Sequence, residues 1–268
     1  MELIQGIKNT DLQLSLPEWA TKYPIISGYR GSYANGTYLP TTDKHGTDDI
    51  DVFTIFAHDI NYYLGLDGYH NSRVSLEKTG DLDIVGYEIR KFIGLLIKGN
   101  PNVHSFLWLE PKDYLFVSNG GELLILNRTI FLSQRLFNSF AGYAYGQLKR
   151  MTHLQYQGYM GKKRKQLANE YGYDIRNAAH CLRLLYLGIH FASTGNILVK
   201  LPAEELDMIL RVKRGEVKSI VEINVLAESL FQQFRKLEDK YRSTWPITPN
   251  MEKINSITRK VLEMSWGK

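Results

Sequence analysis

Asp49-Ile50-Asp51-Val52-Phe53-Thr54-Ile55-Phe56 is a short β-branched and aromatic run with two carboxylates at its start. Residues i and i+2 of a strand point to the same side of a sheet, so a strand over Ile50 to Phe56 is expected to bring Asp49 and Asp51 into one small space. Like charges that close repel unless a cation lies between them, and hard oxygen donors on a rigid strand suit Mg2+ or Mn2+. Taken alone, the same pair also suits a solvated strand edge, so the neighbouring sequence decides.

Upstream, Pro24 to Tyr29 has strand composition and runs into Gly28-Tyr29-Arg30-Gly31-Ser32. A Gly31-Ser32 turn lets backbone N–H groups and a hydroxyl approach a phosphate chain with no bulky side chain in the way. A polar loop from Asn35 to Asp48, with Gly36, Pro40, Asp43 and Gly46, separates this turn from the aspartates. Downstream, Leu82 to Tyr87 is a third expected strand. Its Asp83 stands between Leu82 and Ile84 and is the candidate for a third metal-binding carboxylate, with Asp81 and Glu88 as competitors. Ile89, Phe92, Ile93 and Leu96 then mark an amphipathic helix that Gly99-Asn100-Pro101 stops.

From about Phe131 the apolar period becomes helical. Ser133 is placed to cap a helix with Leu136, Phe140, Tyr143, Ala144, Leu148 and Met151 inward, and Asp174 to cap one with Ile175, Ala178, Ala179, Leu182, Leu185, Tyr186 and Ile189 inward. Pro202 opens a shorter helix ending near Gly215. Further helices are expected over Ile220 to Tyr241, with Ile223, Leu226, Leu230, Phe234 and Leu237 buried, and over about Met251 to Glu263. The expected fold class is α+β: a small mixed sheet with helices over residues 1–130, followed by an α-helical domain over 131–268.

Composition bounds the function. The chain has 268 residues, 44% hydrophobic and 23% charged, which excludes a disordered or fibrous chain and allows a sizeable core. No stretch approaches the ~20 apolar residues of a membrane span, and Met1 to Lys8 lacks a basic region followed by an apolar block. One cysteine, Cys181, excludes an internal disulfide and a cysteine zinc cluster, and a cytoplasmic location is the expectation. His45, His58, His70, His104 and His153 are too scattered for a zinc site. A formal charge of +5 suits a polyanionic partner, with acids bunched early (Asp43, Asp48, Asp49, Asp51, Asp59, Asp67) and bases later.

Gly31-Ser32, Asp49-Ile50-Asp51 and Asp83 together resemble the nucleotidyltransferase superfamily typified by DNA polymerase β. The segments Gly31 to Pro40, Asp49 to Val52, Asp83 to Phe92 with Asn100-Pro101, Gly142 to Met151 and Tyr171 to Leu184 are similar to its bacterial and phage branch of predicted nucleotidyltransferases. The resemblance implies a minimal polymerase-β-like palm, with Asp49 and Asp51 binding two ions, Asp83 binding the catalytic one, and Gly31-Ser32 holding the triphosphate. Sixteen residues separate Ser32 from Asp49, more than is usual in the wider superfamily, and Tyr33 stands where arginine often follows Gly-Ser, which leaves Arg30 as a nearby cation.

Arg176, His180 and Arg183 fall at i, i+4 and i+7 on one helical stripe, a set able to clamp phosphates and offset charge on a triphosphate; an ion-pair stripe facing acids is the alternative. Lys162-Lys163-Arg164-Lys165, preceded by Tyr156 and Tyr159, combines cations with stacking rings as single-stranded nucleic acid requires, though such a run also suits a solvated loop. The expected activity is metal-dependent transfer of NMP from an NTP such as ATP to an acceptor hydroxyl, with a single-stranded nucleic acid, RNA favoured, as acceptor. Protein AMPylation and a non-catalytic antitoxin-like or nucleic-acid-binding module on the same fold are the alternatives.

Overall fold

The computed structural model describes residues 22–66, 74–79, 82–152 and 160–267. Asp67, His70, Asp81, His153, Tyr156 and Tyr159 lie outside the described residues. Two compact units divide the chain, one of residues 1–34, 49–133 and 248–268, the other of residues 35–48 and 134–247. Relative to the expected division near residue 130, two segments change sides. The loop 35–48 belongs with the helices, and the last helix belongs with the sheet.

The sheet unit is built on β1 (Pro24–Arg30), β2 (Ile50–Phe56), β3 (Val74–Thr79), β4 (Leu82–Glu88) and β5 (Tyr114–Val117), in the order β3-β4-β2-β1-β5. β2 and β4 run parallel, and the other neighbours pair antiparallel. The three strands expected from sequence are the three central ones. β3 and β5 form the edges, where the signal is weakened by charged residues in β3 and by a length of four residues in β5. Strand alternation splits the core. Val52 and Ile84 pack with Leu115 on one face, while on the other the Phe53 ring meets Tyr87 and Phe106 edge-on at 4.9 and 4.8 Å.

Helix α1 is one turn, Gly31–Ala34, and α2 spans Ile60–Leu64. In α3 (Ile89–Ile97) the buried residues are Ile89, Phe92, Ile93 and Leu96, the stripe expected from spacing. Its cap is Glu88, a fully buried carboxylate that accepts from the N–H groups of Arg90 and Lys91 and from the Tyr63 hydroxyl. Asn100 caps the turn α4 (Pro101–His104), so the helix stop is also a helix start. α5 (Asn119–Leu126) packs against the final helix, α11 (Met251–Ser265).

In the helical unit α8 (Ile175–Thr194) is the central element, with α6 (Arg135–Thr152), α9 (Ala203–Lys213) and α10 (Ile220–Tyr241) packed on it. Asp174 caps α8 as expected, accepting from the N–H groups of Arg176 and Asn177. Gly188 lets the neighbours approach: a Cβ there would lie 3.0 Å from the Phe234 ring and 3.1 Å from Phe140. Cys181 is fully buried on this helix, and burial pushes its thiol up to about 12.

Three expectations are corrected. α6 begins at Arg135, so Ser133 lies outside it, and its buried hydroxyl has no hydrogen-bond partner among the described residues. Tyr143 is exposed, and Phe137 fills the core in its place. The basic run Lys162 to Lys165 is the first turn of α7 (Lys162–Tyr171), a helix with only Leu167 and Ala168 buried and therefore little apolar period.

Candidate active site

The β2–β4 register makes Asp51 and Asp83 direct partners on adjacent parallel strands, so both carboxylates project from one face. Each is the second residue of its strand, and on the other side of Asp51 its partner is Arg30, the last residue of β1. The Arg30 guanidinium is 3.9 Å from Asp51 Oδ1, with both side chains partly exposed, and lies 5.5 Å from the centre of the Phe53 ring. Two acids and an arginine thus share the edge of the sheet where β1 ends and β2 and β4 begin. β2 starts at Ile50, as expected, so Asp49 stands one residue before the ladder.

Gly31 comes directly against this group. It adopts φ +63°, and a Cβ on it would lie 2.3 Å from Asp51 Oδ2, so only glycine lets the turn meet the carboxylate. Ser32 Oγ is enclosed and has no hydrogen-bond partner among the described residues. Tyr33 is 40% exposed, with its ring 4.5 Å from that of Tyr29.

The donors fit divalent cations of the Mg2+ type. They are carboxylate oxygens on rigid strands, beside a backbone cradle that a methyl group would fill. Among the described residues, no three His, Cys, Asp or Glu side chains gather into a ready-made metal centre; the register pairs Asp51 with Asp83.

The helical unit holds the expected cationic stripe, and the three members differ. Arg176 is engaged within the unit: it donates to the carbonyl of Thr47 at 3.1 Å and pairs with Asp48 Oδ1 at 3.4 Å. His180 is held neutral, lowered to about 3, first by burial and then by the positive field of Arg183, Arg176, Arg150 and Arg164. Its Nε2 is buried and unpartnered among the described residues, so it offers a hydrogen bond and no charge. Burial lowers Arg183 to about 10, and no acid pairs with it among the described residues.

The basic run is also divided. Arg164 forks onto Asp174, with donor distances of 2.7 and 3.1 Å to Oδ2, and reaches Asn177; Lys163 donates to the carbonyls of Thr41 and Asp43. Lys162 is exposed and Lys165 partly so.

Sequence reasoning passed over Asp48 and Lys213 as site residues. Asp48 is 1% exposed at its side chain. It accepts from the Leu39 N–H at 2.9 Å and from Lys213, whose ammonium also donates to the carbonyl of Thr37 at 2.6 Å. Burial lowers the lysine, and Asp48 opposes that shift. The available signal was a lysine four residues after the buried Ile209 of an amphipathic helix.

The sequence model of the RNA repair pathway DNA polymerase beta family matches residues 30–260; the chain belongs to that family and is a polymerase-β-like nucleotidyltransferase. A nucleotidyltransferase-like protein from Exiguobacterium sibiricum 255-15 is a structural match with 12% identity, covering 82% of this chain and 73% of its own, at a TM-score of 0.32. No curated protein matches. Among the described residues no helix is long and apolar enough to cross a membrane.

Proposed function

We propose that the chain transfers a nucleoside monophosphate from an NTP to the terminal hydroxyl of a single-stranded nucleic acid, RNA by preference, with release of pyrophosphate. The acceptor oxygen bonds to the α-phosphorus as the bond to the β-phosphate oxygen breaks, and the hydroxyl proton leaves to solvent. The observation that carries this reading is the Asp51–Asp83 register beside Gly31, a pair of carboxylates meeting a glycine turn. The RNA preference is supported by the family's description and by a net charge of +5.

In this reading Asp49, Asp51 and Asp83 hold two Mg2+ or Mn2+ ions, which when bound supply charge neutralisation and activation of the acceptor hydroxyl. Gly31 and Ser32 present backbone N–H and a hydroxyl to the phosphates. Arg183, with the neutral His180 beside it, stabilises negative charge on the triphosphate, and Arg176 shares that task from its Asp48 anchor. Lys162 and Lys165, with Lys163 and Arg164 as the more firmly tied members, give the acceptor strand a cationic track.

The test is incubation with each labelled NTP, Mg2+ or Mn2+, and pooled oligonucleotides, comparing the unsubstituted chain with Asp51→Asn. Label is expected in RNA, with a fall of about 10²-fold or more in the variant, the order that loss of one preorganised electrostatic group produces. Label entering no acceptor overturns the transfer. Label that resists nuclease and yields to protease replaces the RNA acceptor with a protein.

A further inference from the structure

At the other end of the sheet from Asp51 and Asp83, a cavity opens within the same compact unit. β4 runs on from Asp83 to Glu88, about 17 Å at ~3.3 Å per residue, and α3 leaves the sheet at the Glu88 end. The cavity lies between α3 and α11. Its volume, about 380 Å³, falls within the ~300–1,000 Å³ of small-molecule sites.

The floor is aliphatic. Ile93 and Ile254 are buried beneath it, and Ile97 and Leu262 are partly exposed at its sides. Gly94 completes the α3 wall. A glycine inside a helix costs stability relative to alanine, and close packing does not account for this one, because a Cβ at position 94 would meet no atom within 4 Å. What the absent side chain provides is width.

Two guanidinium groups stand at the rim, Arg90 from α3 and Arg259 from α11. Arg90 is preset: its central carbon lies 5.0 and 4.6 Å from the Tyr62 and Tyr63 ring centres, and its Nε meets the buried Glu88 carboxylate at 3.4 Å. That bond leaves the terminal NH2 groups of Arg90 without a partner among the described residues, and no acid there pairs with Arg259. Two cations against one carboxylate leave the rim a single positive charge. A nucleobase suits this site poorly, because the ring that lines it, Tyr63, already has Arg90 over it and Trp266 at 5.4 Å.

An aliphatic floor under a singly positive rim is complementary to a small monoanion with an apolar body. We propose that this cavity binds a medium-chain aliphatic monocarboxylate, with its chain on the Ile93 and Ile254 floor and its carboxylate at the Arg90 and Arg259 rim. The site stands apart from the proposed transfer and does not depend on it.

The test uses octanoate, below its micelle-forming concentration, followed by titration calorimetry and by methyl NMR of the isoleucine-labelled chain. The expected result is saturable one-to-one binding, shifts of the Ile93, Ile97 and Ile254 methyls, and a Tm that rises with octanoate. Acetate lacks the body and octanol lacks the charge, so each should bind at least about tenfold more weakly. Arg259→Gln, at an exposed side chain, should weaken octanoate about tenfold or more. Gly94→Leu should abolish binding while the Tm without octanoate holds or rises, since leucine is the better helix former. Should that variant fail to fold, Arg259→Gln and the octanol comparison decide the matter. The proposal is overturned by octanoate that does not bind or shifts only methyls elsewhere, by octanol that binds equally well, or by unchanged affinity in either variant.

Discussion

The two compact units treat charge in opposite ways. In the sheet unit acids gather where β2 and β4 begin, and Arg30 is the cation that approaches Asp51. In the helical unit cations gather: Arg150, Arg164, Arg176 and Arg183 all act on His180, while the buried acids Asp48 and Asp174 already have partners. An uncompensated ion out of water costs several kcal/mol, so a fold carries such imbalance where a ligand of the opposite sign relieves it. In the proposed transfer, divalent cations answer the first imbalance and a polyanion the second.

The contrast can be broken most sharply on its acidic side. Gly31→Ala places a methyl against the Asp51 carboxylate and puts alanine at φ +63°, a left-handed conformation that costs about 1–2 kcal/mol. We expect transfer to fall about 10²-fold together with a lower Tm, measured by labelled-NMP incorporation and thermal unfolding. Full activity in this variant would mean that the turn and the carboxylate do not work together.

On the cationic side the effect is smaller and of mixed sign. Arg183→Met is expected to raise KM for NTP about 10- to 100-fold, as loss of a charge-assisted bond worth about 1.5–3 kcal/mol would. Its Tm should stay level or rise, because the substitution removes a half-buried charge that has no acid partner among the described residues. Steady-state kinetics and thermal unfolding check both; an unchanged KM or a clear loss of stability would place Arg183 in the scaffold.

The smallest effect compares one histidine from each unit. His104 in the sheet unit is lowered to about 4 by burial, against the bond from its Nε2 to the Leu96 carbonyl, and His180 is lowered to about 3 by burial and four arginines. Both pick up a proton on unfolding below the ordinary value of 6.5, so their stabilising effect is complete above pH 6.5 and is lost as pH falls towards 4 and 3. The Tm should drop through that window, and His104→Asn or His180→Asn should each flatten the slope. Added salt should reduce only the His180 share, since only that shift includes neighbouring charges.

The sequence was most legible where period and punctuation agree. The strand at Ile50–Phe56, the α3 stripe, the Asp174 cap and the long helix Ile220–Tyr241 have the expected bounds or buried faces, because each combines a regular apolar repeat with a clear stop. Edge strands β3 and β5 lacked length, and α7 lacked an apolar stripe. At the candidate site, the pairing of Asp51 with Asp83 followed from two strands with matching residues, whereas the anchoring of Asp48 by Lys213 joins positions 165 apart and has no local signature. The stripe Arg176, His180 and Arg183 was visible as spacing, but its division into an anchored cation, a neutral imidazole and an arginine with no acid partner among the described residues depends on tertiary burial.

Cys181 sits fully enclosed in the middle of α8, the helix around which the other three pack. Its thiol, raised to about 12, stays protonated and poorly nucleophilic at neutral pH. As the only sulfhydryl of the chain, it turns any alkylating reagent into a clock for the parting of those helices: the rate of capture reports how often the bundle breathes, at one known depth.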